Sequence, residues 1–163
     1  MTFLKFQSWF SRTIGQIVLG TAGIMYANQL WSSPLDKVVA VGLSALGAIA
    51  ALSALCFTMA PCMSLDKERD PILYAGEKFF HSSLLLIQTI FLKFAGESLS
   101  NIGLVQGVEW LHRSVDALTN VVAALTGAAA AWFSIYGFQS LNDFFWLRYE
   151  KRREMLQMKK KRT

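Results

Sequence analysis

The stretch GEKFFHSSLLLIQTIFLKFAG, residues 76–96, is long and apolar enough to enter a bilayer, yet it carries side chains that lipid does not accommodate: Glu77, Lys78, His81, Gln88 and Lys93. On a helix, Glu77, His81 and Gln88 share one face, because they lie at i, i+4 and i+11. A polar face is costly in hydrocarbon. We therefore predict that this polar stripe (Glu77, His81 and Gln88) faces protein or water rather than lipid.

Three interpretations of the polar stripe remain open. It is a structural contact inside the protein, the lining of a pore or cavity, or the site of a sensing or proton-linked role for His81. Glu77 and Lys78 lie near one end of the segment and Lys93 near the other, where long side chains can reach the headgroups. Only His81 and Gln88 are therefore predicted to need an interior partner.

The rest of the chain indicates a helical membrane protein. Of its 163 residues, 53% are hydrophobic and 17% charged. Besides a span at about 72–95, uncharged runs predict spans at about 13–31, 38–60 and 117–141, each close to the roughly 20 residues that cross a bilayer. The expected fold class is all-α, an integral membrane four-helix (tetraspan) bundle in residues 1–147, followed by a basic tail at 148–163. A signal peptide is the alternative for the first run, although Gln16 interrupts the apolar core that such a peptide needs.

Cations that flank the spans predict their orientation, because Lys and Arg resist translocation. The segments before the first span, between the second and third, and after the fourth carry two, three and eight cations, whereas the other two connections carry one and two. Both termini are therefore predicted to be cytoplasmic, in a membrane such as the bacterial inner membrane. The inner connection is bracketed by Pro61 and Pro71, which favour helix boundaries. The outer connection, 97–114, is either a loop or an interfacial amphipathic helix.

Small residues at helical spacing predict close packing, because membrane helices associate through tight backbone contact rather than water exclusion. Three spans carry such seams, at Gly20 and Gly23, at Ala48 and Ala51, and at Ala123, Gly127 and Ala131. All of these seams fit inside one bundle. Since a four-helix bundle has little interior, however, surplus seams favour a homo-oligomer.

The residue sets that catalysis and metal binding need are not found in the sequence. Glu109-x-x-His112 matches half of a di-iron carboxylate set, which requires a second pair and two more carboxylates. Cys56 and Cys62 match no common metal spacing and are expected to be reduced thiols. We predict that the chain is not an enzyme and has no cofactor and no metal site.

The basic tail, RYEKRREMLQMKKKRT at residues 148–163, holds eight cations and two carboxylates, whereas the whole chain has a net charge of +5. The cations are Arg148, Lys151, Arg152, Arg153, Lys159, Lys160, Lys161 and Arg162. No Pro or Gly separates them from the last span, which predicts a continuous helix. The tail is expected to bind anionic lipid headgroups or to dock a cytosolic protein through Met155, Leu156 and Met158. Few stacking aromatics accompany the cations, so nucleic acid is not the expected partner.

These features predict a non-enzymatic multi-pass membrane protein. It is expected to self-associate and to couple the membrane to a cytosolic partner through the basic tail, as a sensor, anchor or effector component. The alternatives are a small ion or solute pore lined by the third span and an accessory subunit of a large membrane complex. Function at this level follows from protein class alone.

Overall fold

The computed structural model describes residues 35–63, 66–101 and 108–162, except for the side chains of residues 66, 67 and 159–162. Over these ranges the chain is all-α, without strands. The helices are α1 (Leu35–Met59), α2 (Asp66–Ser100) and α3 (Glu109–Arg162), with a 3₁₀ turn at Ala60–Cys62. All three helices are long and apolar enough to cross a membrane. The predicted span 13–31, with Gly20 and Gly23, lies outside the described residues, so the four-helix count stays a prediction.

The limits of α1 follow from local chemistry. Asp36 lies in the first turn, where a carboxylate complements the helix dipole. The helix ends at Met59 because Pro61 lacks a backbone N–H and its ring would clash with the preceding turn. The 3₁₀ turn then closes with a hydrogen bond from the Met63 N–H to the Ala60 carbonyl. The predicted helix boundary at Pro61 is confirmed.

The predicted boundary at Pro71 is wrong, because α2 begins at Asp66 and contains that proline. The helix tolerates Pro71 because it lies within the first two turns, where only the carbonyl of residue 67 loses its intrahelical partner. The Pro71 carbonyl also accepts a hydrogen bond of 2.6 Å from the Ser140 hydroxyl of α3. The start of α2 is thus attached to the neighbouring helix.

One helix, α3, contains both the last span and the basic tail. Its 54 residues extend for about 81 Å, more than twice the roughly 30 Å thickness of the hydrocarbon core. The helix continues from residue 147 to residue 148 without a break, which confirms that the tail is helical. It begins at Glu109, so residues 109–114 belong to this helix rather than to a separate interfacial one.

The middle helix of the three is α2, which packs antiparallel against α3 and also contacts α1. Buried apolar side chains from all three helices meet beside the connection between α1 and α2. This core consists of Cys56, Ala60, Ile72, Ala75, Phe79 and Phe144. The basic tail leaves the molecule at the same end, because Arg148 and Lys151 both contact Glu68 near the start of α2.

Candidate functional site: the polar α2–α3 interface and the basic end of α3

Large apolar side chains cover much of the exterior of the helices, and several polar side chains are buried between them. Large exposed side chains include Leu43, Phe57, Phe91, Leu118, Leu125 and Trp132. The buried polar residues include Ser53, Ser82, Ser83, Thr89, Lys93, Ser100, Ser134 and Ser140. Membrane helices pack in this way, because lipid already solvates apolar side chains and contact depends on small and hydrogen-bonding residues. The distribution indicates a membrane protein.

Hydroxyl groups form a row of hydrogen bonds along the α2–α3 interface. The Ser82 hydroxyl donates to the Ala130 carbonyl at 2.7 Å and lies 2.8 Å from the Ser134 hydroxyl. Farther along, the hydroxyls of Thr89 and Thr126 also lie 2.8 Å apart. Interhelical bonds of this kind contribute on average about 0.6 kcal/mol each in a membrane protein. Together they fix the rotation of α2 about its own axis.

Lys93 extends this polar row toward the end of α2. Its side chain is 7% exposed, and the ammonium donates to Oδ1 of Asn120 on α3. The carboxylates of Glu97 and Asp116 attract the same charge. The prediction that Lys93 reaches the headgroups is therefore wrong. A buried ammonium needs a hydrogen-bond acceptor, and α3 supplies an amide oxygen at the same level.

Two glycines allow α2 and α3 to approach closely. A Cβ added at Gly96 would collide with Cγ2 of Thr119. A Cβ added at Gly137 would lie only 2.7 Å from Cε1 of Phe79. Neither position has room for a side chain unless its neighbour moves. Gly96 was not among the predicted seam residues, because it follows the apolar run and belongs to no small-residue repeat.

Of the predicted small-residue seams on described helices, the one on α3 is mostly buried and the one on α1 is exposed. On α3, Ala123 and Gly127 are buried and Ala131 is half-buried. On α1, Ala48 and Ala51 are exposed, and the side chains that pack on α2 come from another face, which includes Ser53 and Cys56. The Ser53 hydroxyl donates to the Gly76 carbonyl at 2.9 Å.

The polar stripe lies on the exposed side of α2, and at His81 it borders α3. Glu77, His81 and Gln88 are all exposed, whereas the buried residues of α2 lie on the opposite side. The His81 ring stacks on Phe133 of α3 with centroids 5.7 Å apart, and its Nδ1 lies 2.7 Å from the Glu77 carbonyl. Lys78 lies 4.6 Å from the centre of the Tyr74 ring. Apart from the contact of His81 with Phe133, the stripe stays exposed in the described part of the chain, so its predicted interior partner stays a prediction.

At the opposite end of α2, Glu68 connects the helix to the basic tail. Its carboxylate lies 2.8 Å from Nζ of Lys151 and 3.8 Å from Nε of Arg148. These cations border an open cleft of about 530 Å³, which is lined by Glu68, Arg148, Tyr149, Lys151, Arg152 and Met155. Beyond the cleft, residues 153–158 are exposed. For Lys159, Lys160, Lys161 and Arg162 the structure describes the helical backbone only.

Glu68 precedes the predicted span 72–95, and its charge is stabilised by the tail. The hydrogen bond from Lys151 lowers the pKa of the Glu68 carboxyl, and the charges of Lys151 and Arg148 act in the same direction. A carboxyl whose pKa is lowered on folding stabilises the protein above its ordinary pKa, and this contribution is lost as the pH falls through the lowered value. The two cations are about half exposed to solvent, which screens the pairs, so the contact orients the tail more than it stabilises the fold.

The acidic residue and the histidine of the Glu109-x-x-His112 motif pair within α3, and the two cysteines are not joined to each other. Glu109 pairs with Arg113, and His112 lies 3.4 Å from Asp116, each one helical turn farther along α3. Cys56 is buried, Cys62 is exposed, and both are free thiols. These contacts account for Glu109 and His112 as ordinary i, i+4 pairs on a helix.

The apolar exterior, the polar helix interfaces and the length of the helices define the class: an all-α protein with three candidate membrane-spanning helices in the described residues. Comparison with protein-family models, curated proteins and solved structures finds no match to this chain.

Proposed function

We propose that this chain is a non-enzymatic multi-pass membrane protein that self-associates and couples the membrane to a cytosolic partner through the basic end of α3. The observation that carries the proposal is the length of α3, which continues as one helix to Arg162. Past the contact of Lys151 with Glu68, residues 152–162 extend α3 by about 16 Å. A rigid helix of this length can bind a cytosolic protein outside the layer of lipid headgroups.

The surface of this helical end fits a protein partner. Arg152 and Arg153 are exposed beside Met155, Leu156 and Met158, whose exposed fractions are 55%, 61% and 57%. A segment that only prevents translocation needs cations but no apolar side chains in water. Exposed apolar residues beside cations favour docking into an apolar groove with an acidic rim. The partner expected is therefore an acidic cytosolic protein.

The end of the molecule that carries the basic tail also carries the α1–α2 connection, which supports a cytoplasmic location for both. With Cys56 and Cys62 replaced by Ala, a thiol introduced at Met158 should be labelled only from the cytoplasm. A thiol introduced at Val105 should be labelled only from the outside. Impermeant maleimide on intact cells and on inverted vesicles measures both. Labelling of position 105 from the cytoplasm alone would contradict this topology.

Crosslinking in native membranes, followed by purification and mass spectrometry, tests the coupling. The wild-type chain should retain an acidic soluble protein at a constant ratio. Replacement of Met155, Leu156 and Met158 by Ser should release at least 90% of it, since the apolar contacts are lost while all the cations remain. The matched control, Leu43→Ser, changes an exposed residue in α1 and should retain the partner.

Other outcomes of this experiment would overturn the proposal. Retention of the soluble protein by the triple Ser variant would show that α3 does not dock it through these side chains. Recovery of integral membrane proteins alone would indicate an accessory subunit. Recovery of no protein, together with salt-sensitive binding of the tail to anionic vesicles, would indicate a lipid anchor.

A pore is the second candidate, favoured by the exposure of the polar stripe on α2. If the stripe lined a pore, His81→Ala would change the conductance or its pH dependence, because it removes the only imidazole of the stripe. The coupling function instead predicts no ion flux above that of empty liposomes. Flux measured for the wild type and for His81→Ala, with Gln88→Leu as a second variant, separates the two functions.

A further inference from the structure

The polar stripe is part of a longer regular seam on the exposed face of α2, which contacts α3 only through the stacking of His81 on Phe133 among the described residues. Its positions, alternately four and three residues apart, are Glu77, His81, Leu84, Gln88, Phe91 and Ala95. All of them except the half-buried Ala95 are exposed. This spacing keeps one face of a helix against a neighbour that crosses it at about 20°, the commonest geometry in membrane bundles. The seam therefore has the form of a helix–helix contact.

Gln88 is the residue of the seam that most needs a partner. It lies about 16 Å along α2 from Glu77, inside the predicted span. Its amide is exposed and makes no hydrogen bond with a described residue. Rotation of α2 cannot bury it against α3, because the adjacent Thr89 is held by Thr126. A primary amide has two donor hydrogens and an acceptor oxygen, and it loses all of these interactions in hydrocarbon.

We propose that a second copy of this chain covers the seam, in a parallel two-fold dimer in which the two Gln88 amides hydrogen-bond to each other. The inference rests on the proposed self-association and names its surface. A two-fold axis brings identical residues together, and an amide is its own complement, because it both donates and accepts. Near the centre of the seam, the Gln88 amide of one copy can thus hydrogen-bond with the Gln88 amide of the other.

The residues around Gln88 fit the same arrangement. Leu84 and Phe91, one turn to either side, exclude lipid and water from the amide pair and so strengthen its hydrogen bonds. Toward the basic end of the molecule, Glu77 of one copy comes close to His81 of the other. The Nδ1 of His81 donates to a carbonyl within its own helix, so only an imidazolium, in which both ring nitrogens are donors, would also donate from Nε2 to that carboxylate.

Disulfide trapping tests the surface directly. In full-length chain with Cys56 and Cys62 replaced by Ala, Gln88→Cys should form a disulfide-linked dimer on oxidation in membranes. Ile87→Cys is the matched control, since Ile87 has the same depth and is 50% exposed but points about 100° away. It should crosslink several-fold more slowly. In lipid nanodiscs, Gln88→Leu should weaken dimerisation about eight-fold, as expected for the loss of two symmetry-related hydrogen bonds between membrane helices, and Gln88→Asn should retain part of the dimer.

The outcomes separate the surface from self-association itself. If the wild type is dimeric in lipid but Gln88→Cys does not crosslink, the surface is wrong while self-association stands. If the wild type is monomeric in lipid, both proposals fail. A disulfide within one chain between Gln88→Cys and Ala27→Cys, in the predicted span 13–31, would show that this span covers the seam and would overturn the dimer.

Discussion

Gly137→Leu is expected to separate α2 from α3 and to lower the free energy of unfolding by about 3 kcal/mol, the upper end of the usual range for overpacking. The reason is geometric. A Cβ at this position would lie 2.7 Å from Cε1 of Phe79, and Phe79 is fully buried in the core where all three helices meet. The ring therefore cannot move without displacing its neighbours. Titration with sodium dodecyl sulfate in mixed micelles, followed by circular dichroism, measures the change.

The chain offers a control and a rescue for this substitution. Gly47→Leu places the same side chain on α1 at a position where no other helix of the described part of the chain comes within 4 Å of an added Cβ, so it should change stability by less than about 0.5 kcal/mol. Phe79→Ala combined with Gly137→Leu should recover part of the loss, because the leucine enters the space that the ring vacates. Equal effects of Gly137→Leu and Gly47→Leu would show that α2 and α3 are not in close contact here.

Asn120→Leu is expected to destabilise the protein by about 2 kcal/mol, the range for a hydrogen bond to a charged group. The substitution removes the acceptor of the buried Lys93 ammonium, whose side chain is only 7% exposed. The remaining attraction of Glu97 and Asp116 limits the loss. The same detergent titration measures the effect. Thr126→Val, which removes only a neutral hydroxyl contact with Thr89, should cost about 0.6 kcal/mol.

The double variant Lys93→Met with Asn120→Leu gives the decisive comparison. Replacing both partners by apolar side chains of similar size removes the unpaired charge, so most of the stability lost in Asn120→Leu should return. If the double variant is less stable than Asn120→Leu alone, the pair is not coupled, and Lys93 depends on its carboxylate neighbours instead.

Local chemistry determined much of the fold. Uncharged runs predicted α1 and the span within α3, and the apolar but charged stretch 76–96 predicted α2. Pro61 set the end of α1, because a proline acts on the helical turn that precedes it. The absence of Pro and Gly after residue 141 likewise predicted that the last span continues as the basic helix, and α3 confirms it. The helix boundary predicted at Pro71 was wrong, because a proline near the start of a helix removes only one main-chain hydrogen bond. The helix tolerates that loss.

The sequence by itself thus determined the helical class, the apolar segments and the continuity of the basic end. The rotation of α2 was decided only by the tertiary structure. That helix has two polar faces, one with Glu77 and Gln88 and one with Ser82, Thr89 and Lys93, and periodicity alone favoured the first for the interior. The second is buried against α3 because Ser134, Thr126 and Asn120 lie at matching levels on that helix. Such complementarity between distant segments cannot be read from either segment alone.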